Sequence, residues 1–265
     1  MIFWTLEAVL LFVLAIPIVM TYRIFPIAGT PYWLFTLLFI LLGVNAAASL
    51  VFATKKIRGS VPVLLFWLIT AIAVLGPMVT AIVDRAKTAP VYGVHDIILQ
   101  QEAAMRLLLE GKNPYKETYF ETPLAQWHYD ELGESAVNPA LYHFVMPLWY
   151  LLFPFIFYFV SIPVLGYFDG RMAVIFLLGI LLVSVYRWYK DRHIGLVAMT
   201  GIAMSPGVID YMIEGRSDIF ALAWLVPALL LLERRRYVFS ALLFGLSLMS
   251  KQTVWFAIPF YCAYL

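Results

Sequence analysis

The stretch HDIILQQEAAMRLLLEGKNPYKETYFETP, residues 95–123, opens on a histidine–aspartate pair and carries charge every few residues. It stands in a chain where charge is scarce. The 265 residues are 63% hydrophobic, 17% aromatic and only 13% charged, whereas a soluble domain carries about 25%. Uncharged runs of the ~20 residues that span a bilayer recur on both sides of it. The expected class is therefore an all-α polytopic membrane protein interrupted by one polar loop. A net charge of +2, with no stripe of Lys and Arg, argues against nucleic acid as a partner. Cys262 is the only cysteine, so no internal disulfide forms and no Cys/His metal framework exists. The N-terminus lacks the basic region of a cleavable signal peptide, and its apolar run, Ile2 to Tyr22 with Glu7 inside, is long for one.

Basic clusters set the expected orientation, because Lys and Arg resist translocation. Segments at 2–22 and 31–53 are followed by TKKIRGS, residues 54–60, with Lys55, Lys56 and Arg58 on the cytoplasmic side. A third segment, 61–83, then delivers 84–139 to the outside as an external loop holding nine of the sixteen acids: Asp84, Asp96, Glu102, Glu110, Glu117, Glu121, Asp130, Glu131 and Glu134. Within the loop, Ile97, Ile98, Ala104, Met105, Leu108 and Leu109 recur at helical spacing, which predicts an amphipathic helix lying on the outer membrane surface. Gly111 is placed to stop it. The run 141–168 is interrupted by Pro147, Pro154 and Pro163. It reads as an interfacial or re-entrant piece with no net crossing; one kinked transmembrane helix is the alternative. RWYKDRH (187–193) and ERRR (233–236) belong inside, which puts YMIEGRSD (211–218) and SKQ (250–252) outside. Fourteen uncharged residues follow Lys251, short for a span, so the sequence is read as C-terminally truncated.

The candidate site residues sit on that outer face. Asp96 heads the amphipathic helix, either as a plain N-cap or as a rigidly held general base. Glu214, Arg216 and Asp218 lie between two apolar segments, where charge usually pairs or serves a function. Lys251 either snorkels to the interface or binds an anion. His95, Asp96, His128 and Asp130 are the candidates for a metal such as Mg or Mn, though no regular spacing unites them. His143 reads as an interfacial histidine.

Several motifs together resemble a known family. The acid leading an amphipathic helix, then EGKNPY with Tyr115, YFETPL and NPALYHF, is similar to the first external loop of GT-C-fold glycosyltransferases. YMIEGRSDIFALAW and GLSLMSKQTVWFAIPF resemble that family's Asp-bearing loop and Lys-bearing helix end. The likeness covers residues 61–265, which would form the GT-C-like core, with 1–60 as two additional N-terminal transmembrane helices. It is nearest to the mannosyltransferase group that includes the first mannosyltransferase of GPI-anchor synthesis and related prokaryotic enzymes. Two positions depart from the pattern: His95 stands where several members carry a second acid, and Val137 and Asn138 stand where some carry a lysine.

The resemblance implies a transferase that moves a hexose such as mannose, with inversion, from a polyprenyl-phosphate donor to an acceptor hydroxyl on a lipid, glycan or protein. Asp96 would be the base, Arg216, Lys251 and Lys112 the phosphate-binding cations, and His95, Glu214, Asp218, Tyr115 and His143 the supporting groups. The aromatic 141–168 piece would border the lipid chain. The expected location is the plasma membrane of a prokaryote, ahead of the endoplasmic reticulum, with the site extracytoplasmic. Two other classes stay open. A transporter would need charge along its spans, and a non-catalytic or partner-dependent membrane scaffold would need none of this chemistry.

Overall fold

In the computed structural model, residues 6–15, 32–55, 60–88, 93–127 and 137–265 are described. Among them helices form throughout and no strand occurs. Lys56, Arg58, His128, Asp130, Glu131 and Glu134 lie outside the described residues. The chain folds as two compact units, residues 1–81 with 182–210 and residues 82–181 with 211–265.

In the first unit, α1 (Leu6–Ala15) and α2 (Tyr32–Lys55) carry a buried polar pair, with the Asn45 amide donating to Glu7 at 3.4 Å. That contact gives the lone acid of the first apolar run a partner. Helix α3 (Val61–Thr70) packs against α2 and α9 (Arg192–Ala203) and runs through a π-helical turn, Ala71–Leu75, into α4 (Gly76–Lys87). The single segment expected at 194–211 forms two helices, α9 and α10 (Pro206–Glu214), bent by 53°. Pro206 sets the break, since proline cannot donate within a helix and suits a first turn.

In the second unit, α5 (Asp96–Leu109) forms where the periodicity predicts and ends at Gly111. Gly111 takes φ +77°, and the Lys112 amide donates to the Leu107 carbonyl at 2.9 Å. Its surroundings differ from those of a helix with one open face: Ile97 to Met105 are all buried, so this stretch is enclosed by protein. The reason lies in Gln100 and Gln101. Their amides donate to the carbonyls of Ala140 and His143 and of Tyr150, at 2.6, 2.8 and 2.8 Å, so protein carbonyls take up these N–H donors.

The remaining helices are α6 (Leu148–Leu152), α7 (Phe155–Leu165), α8 (Arg171–Trp188), α11 (Asp218–Glu233), α12 (Tyr237–Leu248) and α13 (Ile258–Tyr264). By length and composition, Val61–Lys87, Leu148–Leu165 and Arg171–Trp188 could each cross a membrane, and the bent pair α9–α10 could be a fourth span. The proline-rich piece is more helical than its sequence suggests. Pro147 and Pro154 occupy N-cap positions, where no donor is needed, and Pro163 falls in the last turn. Protein contacts flank this piece: Gln101 donates to the Tyr150 carbonyl at 2.8 Å, and the neighbouring Glu102 accepts from the Gly170 amide at 3.0 Å.

Helices α11 and α12 form a hairpin in which Ser247 donates to Ala221 and Ser240 to Ala228. Helix α12 has 12 residues, about 18 Å at ~1.5 Å per residue, so it is shorter than the ~30 Å hydrocarbon core. Arg234, Arg235 and Arg236 form the turn at one end of this hairpin, and Asp218 and Lys251 lie at the other.

Candidate functional site

Five turns of the second unit converge. The His95 amide donates to the Glu214 carbonyl at 2.8 Å, and the Arg171 guanidinium donates to the carbonyls of Gly93 and Ile213 at 3.2 and 2.8 Å. The Trp149 amide reaches the Met249 carbonyl at 2.9 Å, Gln252 reaches Val145 at 2.5 Å, and Lys251 pairs with Asp218 at 2.7 Å. The turns at 93–96, 145–150, 169–171, 213–218 and 249–252 thus form one polar end.

Gly215 allows the close approach. It has φ +84°, and an added Cβ would strike Ile98 and stand 2.9 Å from Arg171 Cγ. Gly215→Ala should therefore cost the left-handed penalty of about 1–2 kcal/mol plus overpacking of about 1–3 kcal/mol. Thermal unfolding in detergent measures it; a variant as stable as the parent would mean that the turn is loosely held.

Beneath this end lies a cluster that sequence reasoning missed. Arg85 grips Glu102 with both terminal nitrogens at 2.7 Å and also donates to Asp169 at 2.8 Å. Arg171 grips the same aspartate through Nε and Nη2 at 3.0 and 2.8 Å. Asp169 and Arg171 are fully buried. Burial opposes charge on Asp169, but the two guanidiniums outweigh it and hold the carboxyl below the usual aspartate range. Burial pushes the Glu102 carboxyl up, against the pull of Arg85. The available signal was DGR (169–171) beside a span, together with Arg85 in the last turn of another, since charges at such depth need partners.

Asp96 is not the cap of α5. His95, with extended backbone at φ −75° and ψ 151°, holds the N-cap position, and Asp96 is the first helical residue. Its Oδ1 lies 2.5 Å from His95 Nδ1, and its Oδ2 accepts from Asn138 Nδ2 at 2.8 Å. Burial pushes its carboxyl up, but the donors from His95 and Asn138 outweigh this, and the net shift is downward. Asp96 is an anion at neutral pH. Asn138, at one of the two positions that depart from the resembled pattern, thus serves the carboxylate directly.

The cations expected to bind phosphate already have partners. Arg216 pairs with Glu214 at 2.7 Å and lies 4.4 Å over the Tyr211 ring. Lys251 pairs with Asp218, as given above. Both belong to the polar end with Asp96. Lys112 does not: it follows the far end of α5, about 20 Å along the helix at ~1.5 Å per residue. There it pairs with Glu110 and lines a separate cavity of 490 Å³ with Arg106, Glu117 and Glu121. Tyr115 donates to the Met146 carbonyl at 3.0 Å and packs edge-on to Phe144, a structural placement. The His143 side chain is exposed, while its carbonyl is held by Gln100. Among the described residues no three His, Cys, Asp or Glu side chains come together to hold a metal. Trp224 meets both Trp149 and Phe153 edge-on beside this end, in a packed aromatic cluster with Phe153 buried inside it. No known protein family, curated protein or solved structure matches the chain.

Proposed function

We propose that the chain is a multi-pass membrane glycosyltransferase of GT-C type, transferring a hexose such as mannose from a polyprenyl-phosphate donor to an acceptor hydroxyl at the extracytoplasmic face. The observation that carries this reading is the His95–Asp96 turn, an anionic carboxylate fixed by two donors, within a polar end that also holds Arg216 and Lys251. Such a centre can accept a proton from a hydroxyl. Each cation spends only some of its donors on its carboxylate partner, and the others can meet a phosphate that bonds most strongly when charge-assisted.

The test is incorporation of label from a panel of polyprenyl-phosphate sugars by membranes containing the protein. Transfer from one donor is expected, and no transfer from any would overturn the reading. Orientation has its own test in a Cys262→Ser background. A cysteine at exposed Ala125 should react with an impermeant maleimide from outside, and one at exposed Glu233, beside the arginine turn, only from inside. Reaction of both from one side would refute the extracytoplasmic site. A scaffold is the second reading, favoured by one observation: Arg216, Lys251 and Lys112 are each paired with a carboxylate.

A further inference from the structure

Resting on the glycosyl-transfer reading, we infer that the proton acceptor of this centre is His95 Nε2, and that Asp96 and Asn138 are positioning residues that hold the imidazole for it. Three contacts form a chain. Asn138 Oδ1 accepts from the Ala140 amide at 2.9 Å, which fixes the orientation of the side-chain amide and aims its Nδ2 at Asp96 Oδ2, 2.8 Å away. Asp96 Oδ1 then meets His95 Nδ1 at 2.5 Å. Two such atoms at that distance share a proton, and the anionic carboxylate leaves it on Nδ1. Nδ1 is therefore a donor, and the Ile97 amide 3.4 Å away is not capped by it. With Nδ1 carrying the proton of the neutral ring, Nε2 keeps its lone pair, and no described residue donates to it.

The ring is held on a second side. Trp127 is anchored by its indole N–H to the Val94 carbonyl at 3.0 Å, and its ring centroid lies 5.6 Å from that of His95. Accessibility runs in the matching order, with side-chain exposure of 28% for His95, 13% for Asp96 and a buried Asn138. An approaching hydroxyl meets the imidazole first. The arrangement is a base oriented by a carboxylate that is itself oriented by a third group, the logic of hydrolase triads. In the transfer step the acceptor oxygen bonds to the anomeric carbon while its proton passes to Nε2. The bond from that carbon to the phosphate oxygen breaks, and its electron pair leaves with the polyprenyl phosphate. The imidazolium, stabilised by Asp96, later returns the proton to water.

Two experiments on the full chain test this. His95→Ala should lower transfer by about 10²-fold or more, and imidazole added to the membranes should restore part of it. His95→Ala that transfers within threefold of the parent overturns the inference. Nitrogen-15 NMR of histidine-labelled protein supplies a readout independent of activity. His95 should be the Nδ1–H tautomer with a strongly downfield proton, and Asp96→Asn should abolish that signature. An Nε2–H tautomer in the parent overturns the inference whatever the activity. Absence of transfer by the parent, with the Nδ1–H tautomer present, overturns the glycosyl-transfer reading alone.

Discussion

Replacing Asp169 with asparagine should destabilise the protein by about 3–5 kcal/mol, the scale for breaking a buried ion pair from one side. Four donors converge on this carboxylate: the Arg171 amide, Arg171 Nε and Nη2, and Arg85 Nη1. Without its charge, the cluster sets two buried guanidiniums against one carboxylate, that of Glu102, which Arg85 alone grips. Glu102→Gln should cost less, because burial already pushes that carboxyl toward its neutral form. The two acids also act oppositely with pH. The folded value of Asp169 is depressed, so its contribution is full above the ordinary aspartate pKa of about 3.9 and disappears as pH falls through the lower folded value. The folded value of Glu102 is raised, so its contribution is full below the ordinary glutamate pKa of about 4.3 and is lost as pH rises through the higher one. Unfolding in detergent at pH 7 and in acid measures both. An Asp169→Asn protein within 1 kcal/mol of the parent would show that the cluster does not hold the fold.

Asp96→Asn should leave the fold nearly intact and lower transfer by about 10²–10⁴-fold, as loss of an orienting carboxylate does in hydrolase triads. Asparagine keeps the shape and can still accept from Asn138. Its stability cost should be near the 0.3–1 kcal/mol of a lost charge at a helix N-terminus. What it loses is the anion that keeps the proton on Nδ1 of His95. Its amide can instead donate to Nδ1, which leaves Nε2 as the N–H and removes the lone pair. Initial rates at matched protein levels, with thermal unfolding alongside, separate the two effects. Undiminished transfer with unchanged stability would leave Asp96 a helix-start residue and nothing more.

Much of this was legible in the residues because it depends on local rules. The period of Ile97, Ile98, Ala104 and Met105 marks α5, Gly111 marks its end, and the apolar runs mark the helices near 61–83 and 172–186. The enclosure of α5 was not legible, because only the returning 138–150 segment makes Gln100 and Gln101 buried staples. The same holds for Asp96, whose partners are one neighbour in sequence and one residue 42 positions away. Arg85, Glu102 and Asp169 are likewise drawn from three distant segments, so no spacing links them. The pairing of Arg216 with Glu214 is one of the two readings that their common motif allows. The pairing of Lys251 with Asp218 was not legible, because the two are 33 positions apart and only the α11–α12 hairpin brings them together.

The contacts that flank the 148–165 piece bear on how the protein is made. Insertion machinery responds to the hydropathy of an emerging segment, and Leu148–Leu165 is more apolar than α8. The residues that bond to Tyr150 and Gly170 on either side of it, Gln101 and Glu102, are synthesised before it. When this apolar piece emerges, the polar partners that flank it are therefore already present in the nascent chain.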